Sequence, residues 1–174
     1  MATLHVFDFD DTLVDSDAQV HVTKSDGTKL ALSSEEYAKY KPDKDDVFDY
    51  HEFDTYGPLE DASIIEPVFA ELRAAVALDG PDSVIILTAR SNPRPVELFL
   101  EANKMKGIKV AAVGSSDPMT KARYILNRIS TDDLDEVRVF EDNVKNLRTI
   151  KKVITKTGVS LQTNRVTKSG IRSK

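Results

Sequence analysis

Apolar and polar residues follow two rhythms along this chain. Short apolar runs ending in polar residues occupy 4–7, 83–87 (ending at Thr88), 108–113 and 137–140. Runs of this kind predict buried strands whose carboxyl ends reach the surface. Residues 159–166 mix polar and apolar positions and predict a fifth. Between these runs, apolar residues spaced three and four apart predict helices over 65–78, 95–105, 118–129 and 143–153. Pro67 falls in the first turn of the first of these, where a missing N–H is tolerated. Strand alternating with helix predicts an α/β fold: a Rossmann-like, mostly parallel sheet with helices on both faces. Ligands of such sheets bind beyond the carboxyl ends of the strands, where this chain concentrates its polar residues.

Residues 14–64 break the rhythm. His21-Val22-Thr23 and Lys29-Leu30-Ala31-Leu32 flank Ser25-Asp26-Gly27-Thr28, the signature of a β-hairpin. Ser33-Ser34-Glu35-Glu36 then predicts an N-cap and a short helix. Residues 42–62 are acidic and aromatic with no clear period. The segment 14–64 is expected to form a β-hairpin flap or small cap inserted after the first strand. The aromatics Phe48, Tyr50, Phe53 and Tyr56 are expected to pack it onto the body, with one of them free to stack on a base.

The length of 174 residues suits one domain over 1–174. Without cysteine there are no disulfides, thiolate metal sites or cysteine nucleophiles. No apolar run approaches the roughly 18 residues that span a bilayer, and no secretory signal is visible, so a cytoplasmic protein away from membranes is expected. The net charge of −5 conceals an asymmetry: residues 1–142 carry −14 and residues 143–174 carry +9 with no acid. The end of the chain, 165–174, is expected as a basic tail. A basic segment of this kind is either a solvated surface or a contact for a polyanion.

The strand ends carry the candidate chemistry. After the first strand comes Asp8-Phe9-Asp10-Asp11-Thr12. Two acids two apart on an extended chain face the same way, so Asp8 and Asp10 are expected to address one point. Holding both ionised calls for a cation, and an oxygen-rich site suits Mg²⁺. A turn with helix-capping acids would give the same local pattern. The other strand ends shift the balance: Thr88 closes the second strand with Arg90 close behind, Lys121 stands early in a helix, and Glu141-Asp142 follow the fourth strand. Each has an ordinary explanation as a cap, a solvated lysine or first-turn acids. Four such features in order at strand ends are hard to ascribe to chance.

Val6-Phe7-Asp8-Phe9-Asp10-Asp11-Thr12-Leu13 resembles the first motif of the haloacid dehalogenase (HAD) superfamily, an apolar strand followed by Asp-x-Asp-x-Thr. Ile85-Ile86-Leu87-Thr88 is similar to its second motif, Lys121 to its third and Val139-Phe140-Glu141-Asp142 to its fourth, so that the likeness spans about residues 4–146. It implies a Mg²⁺-dependent phosphohydrolase, a phosphomonoesterase working through an aspartyl-phosphate intermediate. Asp8 would be the nucleophile and Asp10 the general acid and base. Asp8, Asp10 (through its backbone carbonyl) and Asp142 would hold the metal, Thr88 and Lys121 would bind the phosphoryl oxygens, and Thr12 would fix the loop. The fourth motif departs from the commoner Asp-Asp or Gly-Asp forms. Asp142 is therefore the expected ligand and Glu141 a lesser candidate, because one of two neighbours should face Asp8 while the other points elsewhere.

Arg90, Arg94 and Lys145 are candidates for contacting substrate phosphates. His5, His21 and His51 show no metal spacing, and His5 is expected on a sheet face or in the core. The substrate class is expected among nucleic-acid ends or nucleotides, since the short insertion leaves room for a bulky substrate and the chain ends basic. The alternatives are a small metabolite such as a sugar phosphate, or a non-catalytic binding module on the same scaffold. Such modules usually lose the nucleophile or the acid, whereas Asp8 and Asp10 are both present.

Overall fold

The computed structural model describes residues 2–173. Strand β1 (Thr3–Phe7) leads into an insertion of β2 (Val14–Asp15), β3 (Gln19–Thr23), β4 (Lys29–Ser33), α1 (Ser34–Lys39), β5 (Val47–Asp49), α2 (Gly57–Glu60) and β6 (Ser63–Ile64). The body resumes with α3 (Glu66–Asp79), β7 (Val84–Thr88), α4 (Arg94–Ala102), β8 (Lys109–Ala112) and α5 (Pro118–Asp132). It ends with β9 (Glu136–Glu141), α6 (Val144–Ile154), β10 (Ser160–Thr167) and β11 (Gly170–Ser173).

Six strands form one sheet in the order β11-β10-β9-β1-β7-β8, all parallel except β11. Alternation along the strands sorts the core into two layers. Leu4, Val6, Ile85, Leu87, Val137 and Val139 point to the side covered by Ala122 and Ile125 of α5 and Ile150 and Ile154 of α6. Phe7, Val84, Ile86 and Phe140 point to the other, against Val68, Phe69 and Leu72 of α3 and Val96 and Phe99 of α4. The fold is therefore α/β, with helices on both faces of a mostly parallel sheet. Phe7 and Phe140, register partners on β1 and β9, stack with centroids 4.5 Å apart just below the strand ends. His5 lies buried on the α3 side, its Nε2 2.6 Å from Asp79 and its Nδ1 accepting from Arg138 at 3.0 Å.

Strand order decides where a ligand can sit. From β1 the chain builds outward through β7 and β8, then returns to β9 on the opposite side of β1. The crevice between the carboxyl ends of β1 and β9 is the switch point of the sheet. Local sequence fixes the helices that begin there. Pro118 opens α5, with the Asp117 side chain accepting from Met119 N, and Asn143 caps α6 by accepting from Lys145 N and Asn146 N.

The insertion is tied at its neck by β2 and β6, which pair antiparallel (Val14 with Ile64, Asp15 with Ser63). Beyond the neck stands the expected hairpin of β3 and β4, followed by α1 with Ser33 and Glu36 forming a capping box. The segment 42–62 is more ordered than its composition suggests: β5 adds a third strand to the hairpin, and Gly57–Glu60 makes one helical turn. Phe48 and Tyr50 pack with Tyr37 within the insertion, whereas Tyr56 packs against the body's core.

The end of the chain also departs from expectation. Rather than a tail, 165–173 completes β10 and turns back as β11, pairing Arg165 with Arg172 and Thr167 with Gly170. Its alternate apolar residues explain this: Val166 is buried in the α3–α4 core layer and Ile171 packs against it. Among the described residues no helix is long and apolar enough to cross a membrane.

Candidate metal centre

Beyond Phe7 the backbone stops being extended. The Phe9 carbonyl accepts from the N–H groups of Thr12, Leu13 and Val14, and Asp11 adopts a left-handed conformation with φ +62°. This tight turn separates two acids that an extended chain would have aimed together. Asp8 stays in the β1–β9 crevice, its N–H donating to the Phe140 carbonyl at 2.9 Å. The Asp10 carboxylate is turned away to Arg90, which grips it with Nε at 2.9 Å and Nη2 at 2.8 Å. The expectation that both carboxylates address one point is thus corrected: the Asp10 side chain is not in the acidic cluster.

That cluster consists of Asp8, Glu141 and Asp142, whose nearest ligand atoms all lie within 4.8 Å of one another. Glu141 also corrects an expectation, because it does not point away from Asp8. Both acids converge: Glu141 at the last position of β9 is almost fully buried, and Asp142 follows where the strand has ended. Lys121, in the first turns of α5, joins the two sides by donating to Asp8 Oδ1 and Glu141 Oε1, each at 2.8 Å. Glu141 Oε1 accepts also from Asn146 Nδ2 and Oε2 from Asn143 N. Thr12 sits at the centre, fully buried. Its hydroxyl accepts from Asp142 N at 3.1 Å and can give its one proton to Asp8 Oδ2 at 3.0 Å or Asp142 Oδ1 at 3.1 Å.

The electrostatics follow from crowding. Burial, added to by the charge of Glu141, pushes the Asp8 carboxyl up to about 6 despite the neighbouring ammonium. Asp142 is pushed up to about 11 by burial and then by the charges of Asp8 and Glu141. Burial is the largest influence on Glu141 and would raise it, but the Lys121 charge together with hydrogen bonds from Asp8, Asp142 and Lys121 outweighs it and holds that carboxyl down to about 2. For Lys121, burial would favour the neutral amine. The two carboxylates overcome this and raise its pKa. With all groups ionised, three carboxylates and one ammonium carry −2, the charge one divalent cation offsets. The donor set is all oxygen, as a hard cation requires. A buried group able to hold a metal ion therefore lies at the β1 end, and its residues fit such an ion.

The remaining predicted residues are placed as follows. Thr88 is buried at the end of β7, its hydroxyl accepting from Arg90 N at 3.2 Å. Arg90 is buried rather than open to substrate, its guanidinium between the rings of Phe9 (5.3 Å) and Phe53 (4.9 Å), with Nη1 donating to the Phe53 carbonyl. Arg94 and Lys145 are exposed. Sequence reasoning missed the Arg90–Asp10 fork. Thr88-Ala89-Arg90 did place a guanidinium just past a strand end, but its partner depended on the turn at Asp11. Comparison of the chain with protein-family models, with curated proteins and with solved structures gives no match.

Proposed function

We propose that this chain is a Mg²⁺-dependent phosphomonoesterase of the haloacid dehalogenase type. The observation that carries the reading is the convergence of β1, α5 and β9 on Asp8, with Lys121 bridging to Glu141 and Asp142 held at the same point through Thr12. Asp8 attacks phosphorus, forming an aspartyl-phosphate as the bond to the leaving oxygen breaks. Asp10 gives that oxygen a proton, for which Arg90 must first release one carboxylate oxygen and that oxygen take up a proton from solvent. A water then attacks phosphorus, Asp10 takes its proton, and phosphate leaves as the Asp8 carboxylate is restored. Lys121 and Thr88 stabilise the phosphoryl oxygens.

Asp8, Asp142 and the Asp10 backbone carbonyl would hold Mg²⁺, which supplies charge neutralisation between the Asp8 carboxylate and the phosphoryl group. Glu141 has both oxygens occupied by Lys121, Asn146 and Asn143, and so serves Lys121. Asp142 accepts only from Thr12 among the described residues and has lone pairs to spare. Asp142→Asn is therefore expected to raise the Mg²⁺ concentration for half-maximal p-nitrophenyl phosphate hydrolysis at least about tenfold. Glu141→Gln is expected to lower kcat with a smaller change in the metal requirement. Full hydrolysis in excess chelator would end the reading.

A second observation bears on the substrate. Arg148 and Lys151 of α6 and Arg165 of β10 line a groove of about 150 Å³, and Arg165 is the register partner of Glu141 at the strand end. The reading this favours is a phosphorylated polynucleotide end or nucleotide, whose further phosphates would lie along the groove, over a sugar phosphate. Because β10 and β11 belong to the sheet, side chains rather than the segment are the ones to change. Replacing Arg148 and Lys151, both exposed, with alanine is expected to raise KM several-fold for a phosphorylated oligonucleotide and leave p-nitrophenyl phosphate unaffected. The wild-type affinity for the oligonucleotide should fall with salt, by a slope of about 0.7 per contacted phosphate. Equal effects on both substrates would remove the polynucleotide.

A further inference from the structure

A second group of side chains with metal-ligating atoms lies on the insertion. His21 of β3 stands opposite Asp49 of β5 in the antiparallel register. Two residues past Asp49, the chain folds a 3-10 turn over His51–Phe53, closed by Asp54 N donating to the His51 carbonyl. The turn brings His51 and Glu52 back over β3. The imidazoles of His21 and His51 lie nearly parallel with centroids 5.1 Å apart. One ligand atom each from His21, His51 and Glu52 lies within 4.8 Å of the other two.

We propose that His21, His51 and Glu52 bind one divalent transition-metal ion of the Zn²⁺ class. Two imidazoles and one carboxylate are donors that such an ion prefers and that Mg²⁺ does not. Three protein ligands with an open position form a recurrent zinc arrangement. At metal–ligand bonds of about 2.0–2.1 Å, tetrahedral ligand atoms stand about 3.4 Å apart, a spacing the trio reaches by small shifts in which the hydrogen-bonded His21–Glu52 pair opens and the wider separations close. The side chains of His21 and His51 are 39% and 62% exposed, which leaves them free to turn.

The surroundings prepare each ligand. Asp49 Oδ2 lies 3.0 Å from His51 Nδ1, and Asp49 Oδ1 accepts from the His51 backbone N–H. With its Nδ1–H held by that carboxylate, His51 presents the Nε2 lone pair, the usual orientation of a metal-bound histidine. Glu52 is anchored at one oxygen, which accepts from Gln19 N at 3.3 Å, and meets His21 Nε2 with the other.

An ion here would fix the turn that contacts Arg90. Phe53, the last residue of the turn, gives its carbonyl to Arg90 Nη1 at 3.1 Å, and Arg90 in turn holds Asp10. The ion would thus stabilise the insertion in the position it occupies over Arg90.

The test is titration of the full chain with Zn²⁺ by calorimetry, in excess Mg²⁺ to occupy oxygen-only sites. The wild type is expected to bind one equivalent. His51→Ala, at the most exposed ligand, and Glu52→Gln should each weaken binding at least about tenfold, whereas Asp142→Asn should leave it unchanged. Co²⁺ in place of Zn²⁺ should give the intense visible absorption of a low-coordinate, nitrogen-ligated ion, lost in His51→Ala and in His21→Ala. If the wild type takes up no Zn²⁺ under these conditions, or if His51→Ala binds it as tightly as the wild type, the site does not exist. Binding lost only in Asp142→Asn would assign the ion to the strand ends and overturn the proposal. None of these outcomes depends on phosphatase activity, so the site stands or falls apart from the proposed function.

Discussion

Asp8→Asn is expected to abolish phosphatase turnover and, in the absence of divalent cations, to make the protein more stable. The first effect is chemical. An amide in place of the carboxylate cannot form the acyl-phosphate, and losing a covalent nucleophile costs at least about a thousandfold in kcat. The second is electrostatic. Asp8 has its pKa pushed up to about 6 from 3.8, burial first and Glu141 second, with Lys121 opposing. A carboxyl whose folded pKa is raised contributes stability that is fully present below its unfolded pKa and lost as pH rises through the folded one. That window runs here from about pH 4 to about pH 6. Above it, the ionised wild-type carboxylate costs about 3 kcal/mol, a penalty that the neutral amide avoids. Urea unfolding of both proteins across pH 4–8 in chelator should show a stability difference that opens over that window and then levels. Mg²⁺ should narrow it by stabilising the wild type. Turnover of Asp8→Asn within tenfold of wild type would exclude Asp8 as nucleophile. A stability difference constant with pH would show that the carboxylate is not crowded.

What the sequence made legible depended on how local the cause was. Five body strands follow from short apolar runs and four body helices from a period of 3.6, and their observed ends differ from expectation by only a few residues. The hairpin of β3 and β4 was marked by Asp26-Gly27, and α1 by its capping box. Of the positions singled out for chemistry, Asp8, Thr12, Lys121, Glu141 and Asp142 meet, because parallel strands deliver their carboxyl ends to one edge, whereas Asp10 and Thr88 bond to Arg90 instead. Where partners are distant in sequence and the backbone leaves regular geometry, the pattern was silent. The left-handed Asp11 sends the Asp10 carboxylate to Arg90, 80 residues away, and no local signal encodes that pairing. Glu141 was expected to point outward because neighbours on a strand alternate. It ends β9 while Asp142 lies beyond it, so the alternation no longer applies. β11 is short and rich in polar residues, and it forms because Ile171 finds the core beside Val166.

Lys121→Met is expected to be the most destabilising single change at the site. The lysine and its two partners are almost wholly buried, with side-chain exposures of 4% for Lys121, 11% for Asp8 and 2% for Glu141. Methionine fills the volume of the alkyl chain but leaves two carboxylates in low dielectric without their shared cation. Breaking a buried ion pair by removing one partner costs about 3–5 kcal/mol, a large fraction of the roughly 5–15 kcal/mol that holds a domain folded. The loss should be greatest in chelator at pH 8. It should shrink toward pH 5, as the stranded carboxyls take up protons, and on addition of Mg²⁺, which offsets the same charge. A second substitution separates electrostatics from packing. In Lys121→Met/Glu141→Gln one stranded carboxylate becomes neutral, so much of the stability should return even where the single variant does not fold. Phosphatase activity should stay at least about a hundredfold down in both variants, since neither restores a cation at the phosphoryl oxygens. A Lys121→Met protein within about 1 kcal/mol of wild type in chelator would mean that the ammonium is not what keeps Asp8 and Glu141 together. The acids would then owe their proximity to the sheet alone, through the pairing of β1 with β9 that carries one to the end of each strand.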